Sequence, residues 1–162
     1  VRCFLFCHRT NLQIILIFGV AKINLPFFMR ETIFDPLRKR EVALTPEERV
    51  RQNMILWLQQ ALGYSPGRMM SEYSFKYNGL TYRADIVVFD KEGNIETLVE
   101  CKAPGVKLDQ TVIEQGIRYN MTLNVKCIIF TNGSTLCAYK RGGNHEQFKA
   151  VTDLVNLRKS EN

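Results

Sequence analysis

Arg83-Ala84-Asp85-Ile86-Val87-Val88-Phe89-Asp90 and, after Lys91-Glu92-Gly93-Asn94, Ile95-Glu96-Thr97-Leu98-Val99-Glu100-Cys101-Lys102 decide how the chain is read. Both runs are rich in Val, Ile and Phe, and Asp90, Gly93 and Asn94 supply turn chemistry between them. They read as two strands of one hairpin. Side chains alternate across a strand. Glu100 and Lys102 therefore share a face with Leu98, and Ile95, Thr97, Val99 and Cys101 take the other. Apolar residues on both faces mark a strand buried on both sides. Ionised groups in such a strand are costly unless they are paired or bound to a cation. Asp85, Glu100 and Lys102 suit a divalent ion and a substrate phosphate, because Mg²⁺ takes one or two carboxylates and completes its shell with water and phosphate oxygens. The same residues also read as a same-face ion pair beside a solvated aspartate, and the surroundings must decide between the two.

Upstream, Thr45-Pro46-Glu47-Glu48 opens a helix that runs to about Leu62 and stops at Gly63. Thr45 is the N-cap, Pro46 fits the first helical position, and Glu48 completes a capping box. Val50, Met54, Trp57, Leu58 and Ala61 form the apolar stripe. By helical geometry Glu47 falls on the core-facing side and Glu48 about 100° away. Glu47 is thus the carboxylate the helix offers to a site beside the sheet, and favourable charge at the helix N-terminus is the alternative role for both.

Glu72–Tyr77 reads as a strand and Asn78-Gly79 as a two-residue hairpin turn. With the two runs above it makes a three-strand antiparallel meander. A helix follows from about Asp109 to Met121, with Gln115 and Tyr119 on one face one turn apart. Val125–Thr131 and Thr135–Lys140 are two more strands around Asn132-Gly133. A short helix is expected over about Ala150–Arg158. Residues 24–44 read as irregular. Their basic cluster Arg38-Lys39-Arg40 is either a solvated loop or a DNA contact, and Arg51 on the first helix is a further candidate DNA contact.

The chain has 162 residues, 46% hydrophobic and 23% charged. That favours one domain, placed at residues 24–162, with an N-terminal extension at 1–23. Net charge is +6 and the sequence pI about 9.2, which suits a phosphate backbone. No Gly-x-x-x-x-Gly-Lys-Ser/Thr loop occurs, so nucleotide hydrolysis is not expected. Five cysteines, among them Cys101, Cys127 and Cys137, lack zinc-site spacing and read as thiols of a reducing, cytoplasmic compartment. Residues 1–23 stay open. Arg2 and Arg9 with the apolar run Leu12–Ala21 read as a signal peptide or as sequence that is not natural coding sequence, since the chain opens on Val. The run is too short for a membrane span.

The order is helix, three-strand meander, helix, strand, strand, with an Asp on the second strand and Glu-x-Lys on the third. It resembles the PD-(D/E)xK, restriction-endonuclease-like core: an α/β (α+β) fold with a mixed sheet of about five strands in the order αβββαββ. More closely, the chain resembles the N-terminal nuclease domain of type I restriction enzyme R subunits. The residues that carry this include Phe34-Asp35-Pro36-Leu37-Arg38-Lys39, Thr45-Pro46-Glu47-Glu48-Arg49-Val50-Arg51-Gln52, Val99-Glu100-Cys101-Lys102-Ala103-Pro104, Gln115-Gly116-Ile117-Arg118-Tyr119 and Thr131-Asn132-Gly133. The resemblance covers about residues 24–140. It implies a Mg²⁺-dependent DNA endonuclease, with Mn²⁺ as a substitute. Asp85 and Glu100 would bind the ion, joined by Glu47 or Glu48. Lys102 would orient the attacking water or stabilise the charged phosphorane, and Gln115 and Tyr119 would support the site and contact DNA. Ala84 stands where the family's name-giving Pro would be. The implied partners are DNA and restriction-modification subunits or a separate translocase motor, with no membrane. A non-catalytic DNA-binding module on the same fold is the rival reading.

Overall fold

The alternating hydrophobicity of 83–102 sets these residues in the middle of a sheet. The computed structural model describes residues 4–8, 11–15, 31–77, 79–120, 125–142 and 147–152. The chain forms two compact units, residues 1–31 and residues 32–162. In the first, β1 (Phe4–His8) pairs antiparallel with β2 (Asn11–Ile15). The expected signal-like run therefore begins as a strand at Leu12, and 16–21 lie outside the described residues.

The second unit opens with a hairpin, β3 (Thr32–Asp35) and β4 (Arg40–Ala43), where an irregular segment was expected. Asp35-Pro36 is the signal for it, since a short acidic side chain can bind backbone two residues on. The fully buried Asp35 accepts from the Leu37 and Arg38 N–H groups at 2.7 and 2.8 Å. These bonds draw the Asp35 carboxyl below its ordinary value, against the opposing effect of burial.

Helix α1 (Pro46–Gln60) starts as its caps dictate: Thr45 Oγ1 accepts from the Glu48 N–H at 3.0 Å. The second half of the capping box is absent. The Thr45 N–H donates to Ala43 O, and the Glu48 carboxylate turns elsewhere. Gly63, at φ 66°, reverses the chain after the helix, a conformation cheap only for glycine.

Six strands follow in one sheet. β5 (Met69–Tyr77), β6 (Leu80–Phe89) and β7 (Ile95–Cys101) form the expected meander. Helix α2 (Gln110–Asn120) crosses over to β8 (Cys127–Thr131), which lies parallel to β7, as such a crossover allows. β9 (Leu136–Arg141) and β10 (Phe148–Val151) complete the order β10-β9-β8-β7-β6-β5. β10 is one strand more than expected. Ala150 and Val151 pair with Tyr139 and Ala138, so the tail helix expected to start at Ala150 does not start there; residues 153–162 lie outside the described set. Phe148 and Val151 are the half-buried residues of this strand, and Arg141 stacks its guanidinium on the Phe148 ring at 5.0 Å.

The sheet has an apolar layer on each face. Val50, Met54, Ile55 and Leu58 of α1 pack with Ile86, Val88, Val99 and Ile129. Ile113 of α2 packs with Val87, Leu98, Ile128 and Phe130. Consecutive residues of β6, β7 and β8 thus go to opposite layers, which is why these strands read as unbroken apolar runs. At Gly116 α2 comes so close to β8 that a Cβ would stand 2.3 Å from a ring carbon of Phe130. Among the described residues no helix is long and apolar enough to cross a membrane, and Cys101, Cys127 and Cys137 are free thiols.

Candidate active site

Three carboxylates line up across adjacent strands. Glu72 lies between the paired residues Ser71·Ile86 and Tyr73·Ala84, beside Asp85. Glu100 lies one residue beyond the Ile86·Val99 pair, on the other flank of Asp85. The strands are irregular here. Glu72 sits at φ 55°, rare for a residue with a side chain. Met69 and Ile86 pack in the α1 layer, whereas Tyr73 and Ala84 pack in the α2 layer. A strict alternation would put each of these pairs on one face, so both strands change face at Glu72 and Asp85. The Asp85 carboxylate replaces a ladder bond: its Oδ2 accepts from the Cys101 N–H at 2.6 Å.

Arg51 of α1 enters this row from the helix side. Its Nη2 donates to Asp85 Oδ1 at 2.6 Å and lies 2.8 Å from Glu72 Oε1, and its Nη1 donates to Glu48 Oε2 at 2.5 Å. Glu47 is more distant, 3.7 Å from Nη2, and its side chain is 46% exposed. Burial opposes the charge on Arg51, but Asp85, Glu48 and Glu72 outweigh it and raise its pKa. Among the described residues the buried Nε of Arg51 has no hydrogen-bond partner.

Of the two first-helix glutamates, Glu48 is the more deeply buried and does not close the capping box, while Glu47 stays at the mouth of the cleft beside Arg51. Glu48 is buried, and its carboxylate accepts from Arg38 Nη2, Arg51 Nη1 and Gln52 Nε2; Glu47 is half exposed. The helical angle between them was read correctly, but which face the hairpin β3–β4 would cover was not visible locally. Arg38 donates to Asp35 and Glu48 and so ties the hairpin to α1. As an expected DNA contact it is already committed to carboxylates, as is Arg51. Lys39 is exposed in the turn, at φ 53°.

Burial, then the neighbouring Asp85 charge, pushes the Glu100 carboxyl up to about 7, against the opposing pull of Lys102. Lys102 follows two residues on, anchored by its N–H to Thr131 O at 2.8 Å. Its ammonium makes no hydrogen bond or ion pair among the described residues. Gln115 is exposed on α2 and makes no bond to the acidic row among the described residues. The Tyr119 side chain lies outside the described residues. Glu72 was missed by sequence reasoning. Its signal was weak: the one acidic residue in the run Met69–Tyr77.

Among the described residues no three acidic, His or Cys side chains converge closely enough to hold a metal ion by themselves. Arg51 stands between them. The donors nevertheless fit Mg²⁺ in kind, being hard carboxylate oxygens, and the guanidinium is a cation that the protein itself seats among them.

The family model described as Type I restriction enzyme R protein N terminus (HSDR_N) matches residues 46–154. The chain belongs to this family. The type I restriction enzyme R N-terminal match runs from α1 through β10. It takes in Glu47, Glu48, Arg51, Glu72, Asp85, Glu100, Lys102, Gln115 and Tyr119, and leaves out Arg38 and Lys39 in the preceding hairpin. Membership makes the chain a nuclease-type domain. Among solved structures, the chain is similar to one described as a "putative nuclease belonging to DUF820" from Anabaena variabilis, with a TM-score of 0.45, 11% identity and 80% of each chain covered. A comparison with curated proteins finds no match.

Proposed function

We propose that this type I restriction enzyme R N-terminal domain is a Mg²⁺-dependent DNA endonuclease that hydrolyses phosphodiester bonds. The observation that carries the reading is the neighbouring positions of Glu72, Asp85 and Glu100 on three adjacent strands, with Lys102, whose ammonium makes no bond among the described residues, just past the end of β7. Asp85 and Glu100 would hold the ion, with Glu47 the nearest carboxylate of α1 not engaged in the hairpin network. Bound there, Mg²⁺ polarises a phosphate and lowers the pKa of a water.

The chain's own groups account for the rest. Lys102 has its ammonium available to an anionic phosphate and to the charge that builds on it as water attacks. Cys101 lies between Glu100 and Lys102 with its thiol buried and pushed far above its ordinary value, which argues against a cysteine nucleophile. The net charge of +6 supports DNA as the substrate. DNA would be delivered by restriction-modification subunits or a separate translocase motor.

Supercoiled-plasmid cleavage with Mg²⁺, run beside a calorimetric Mg²⁺ titration of wild type and Asp85→Ala, tests this. Nicking and ion binding lost together in the variant are expected. Wild-type protein that neither binds the ion nor nicks, alone or with a translocating partner, overturns the proposal in favour of DNA binding without cleavage.

A further inference from the structure

We infer that Arg51 is a built-in counter-cation seated where the divalent ion binds, between Glu72 and Asp85, so that the ion enters as the guanidinium leaves and Glu72 becomes one of its ligands. The inference rests on the metal-dependent reading above and adds a residue and a gate to it.

Three observations carry it. First, one nitrogen serves both strands: Arg51 Nη2 is 2.6 Å from Asp85 Oδ1 and 2.8 Å from Glu72 Oε1. The other oxygen of Asp85 is held by the Cys101 N–H. The oxygen without a backbone bond is the one that Arg51 holds, so the guanidinium occupies the more open coordination position of Asp85. Second, Arg51 fits its place imperfectly. Its side chain is 5% exposed, yet among the described residues its buried Nε has no hydrogen-bond partner, so withdrawal restores water to an unsatisfied donor. Withdrawal does not strand the charge, since Nη1 already bonds Glu48 at 2.5 Å. Third, there is a way in. A cleft of about 430 Å³ is lined by β4, by the carboxylates Glu47, Glu48 and Glu72, and by Arg38, Arg51 and Arg83, and so opens onto Arg51 and Glu72. A hydrated cation can reach Arg51 through it.

The Glu72 backbone supports its part. A glutamate held at φ 55° is a strained position that the surrounding sheet maintains, and the strain brings Glu72 beside Asp85 in the α1 layer. Arg83 Nε lies 2.8 Å from Glu72 Oε2, so the second oxygen of Glu72 stays oriented when the first changes cation.

The competing explanation is a purely structural clamp between α1 and the sheet. The two differ in sign. A clamp holds the carboxylates together for the ion, so its removal weakens binding. A competitor occupies their oxygens, so its removal tightens binding. The test is Mn²⁺ calorimetry on the full chain at pH 8, with wild type, Arg51→Gln and Glu72→Gln. The expected result is binding tighter by about tenfold or more in Arg51→Gln, and weaker binding in Glu72→Gln. In parallel, Mg²⁺ titration of the wild type should shift the Arg51 guanidinium resonances by NMR, a readout that stands even if Arg51→Gln does not fold. Wild type that binds Mn²⁺ while Arg51→Gln binds equally or less tightly overturns the inference and leaves the nuclease reading intact. So do guanidinium resonances that stay fixed at Mg²⁺ saturation. No binding in wild type or in any variant removes the metal site itself and the inference with it.

Discussion

Glu100→Gln should stabilise the protein at pH 8 and leave it unchanged near pH 4. The folded state holds the Glu100 proton up to about pH 7, whereas an ordinary glutamate releases it near 4.5. Between these values the folded chain binds more protons than the unfolded one. Stability must then fall as pH rises through this window, and level off above about 7. The difference between 4.5 and about 7 corresponds to about 3 kcal/mol, at about 1.4 kcal/mol per tenfold change in proton affinity. Glutamine keeps the shape and removes the charge that Asp85 and burial oppose. Urea unfolding with EDTA present, at pH values from 4 to 8.5, measures this. The variant-minus-wild-type stability should climb from near zero to about 3 kcal/mol across the window. Mg²⁺ at about one thousand times its Kd should reverse the order at pH 8, because an ion that binds only the folded wild type then adds about 4.1 kcal/mol. A variant less stable than wild type at pH 8 without metal, or a difference that does not change with pH, would refute the reasoning and make Glu100 a favourably paired residue.

Lys102→Ala should abolish plasmid cleavage while changing stability by less than about 0.5 kcal/mol in the same urea assay, because its ammonium holds no partner among the described residues. Asp85→Asn should lose ion affinity by calorimetry and also destabilise by about 1–3 kcal/mol, since a neutral amide replaces the carboxylate that accepts from Arg51 and from the Cys101 N–H. Gly116→Ala should lower the melting temperature. Its methyl would meet the buried Phe130 ring at 2.3 Å, an overpacking cost of about 1–3 kcal/mol that outweighs the helix-propensity gain of up to about 1 kcal/mol.

The meander, both helices and the pairing of Asp85 with Glu-x-Lys were legible because they depend on local rules: alternation, capping and turn residues. Turn chemistry at Asp35-Pro36 belonged to the same kind of signal and was passed over. β10 carries no local strand signal because its four residues do not alternate, and its neighbour β9 supplies the ladder bonds that hold it as a strand.

The chain's local pattern therefore determined where Asp85, Glu100 and Lys102 stand, since the period of a strand and the length of a turn follow from a few adjacent residues. Only the tertiary structure decided their company. Glu72 and Arg51 are 13 and 34 positions away from Asp85 in sequence and meet it through a cross-strand register and a helix laid on the sheet. Which of Glu47 and Glu48 is buried depended on the hairpin β3–β4 supplying Arg38. Charge is felt through space at short range, so its effect on a carboxyl group cannot be assigned until the fold has chosen the neighbours.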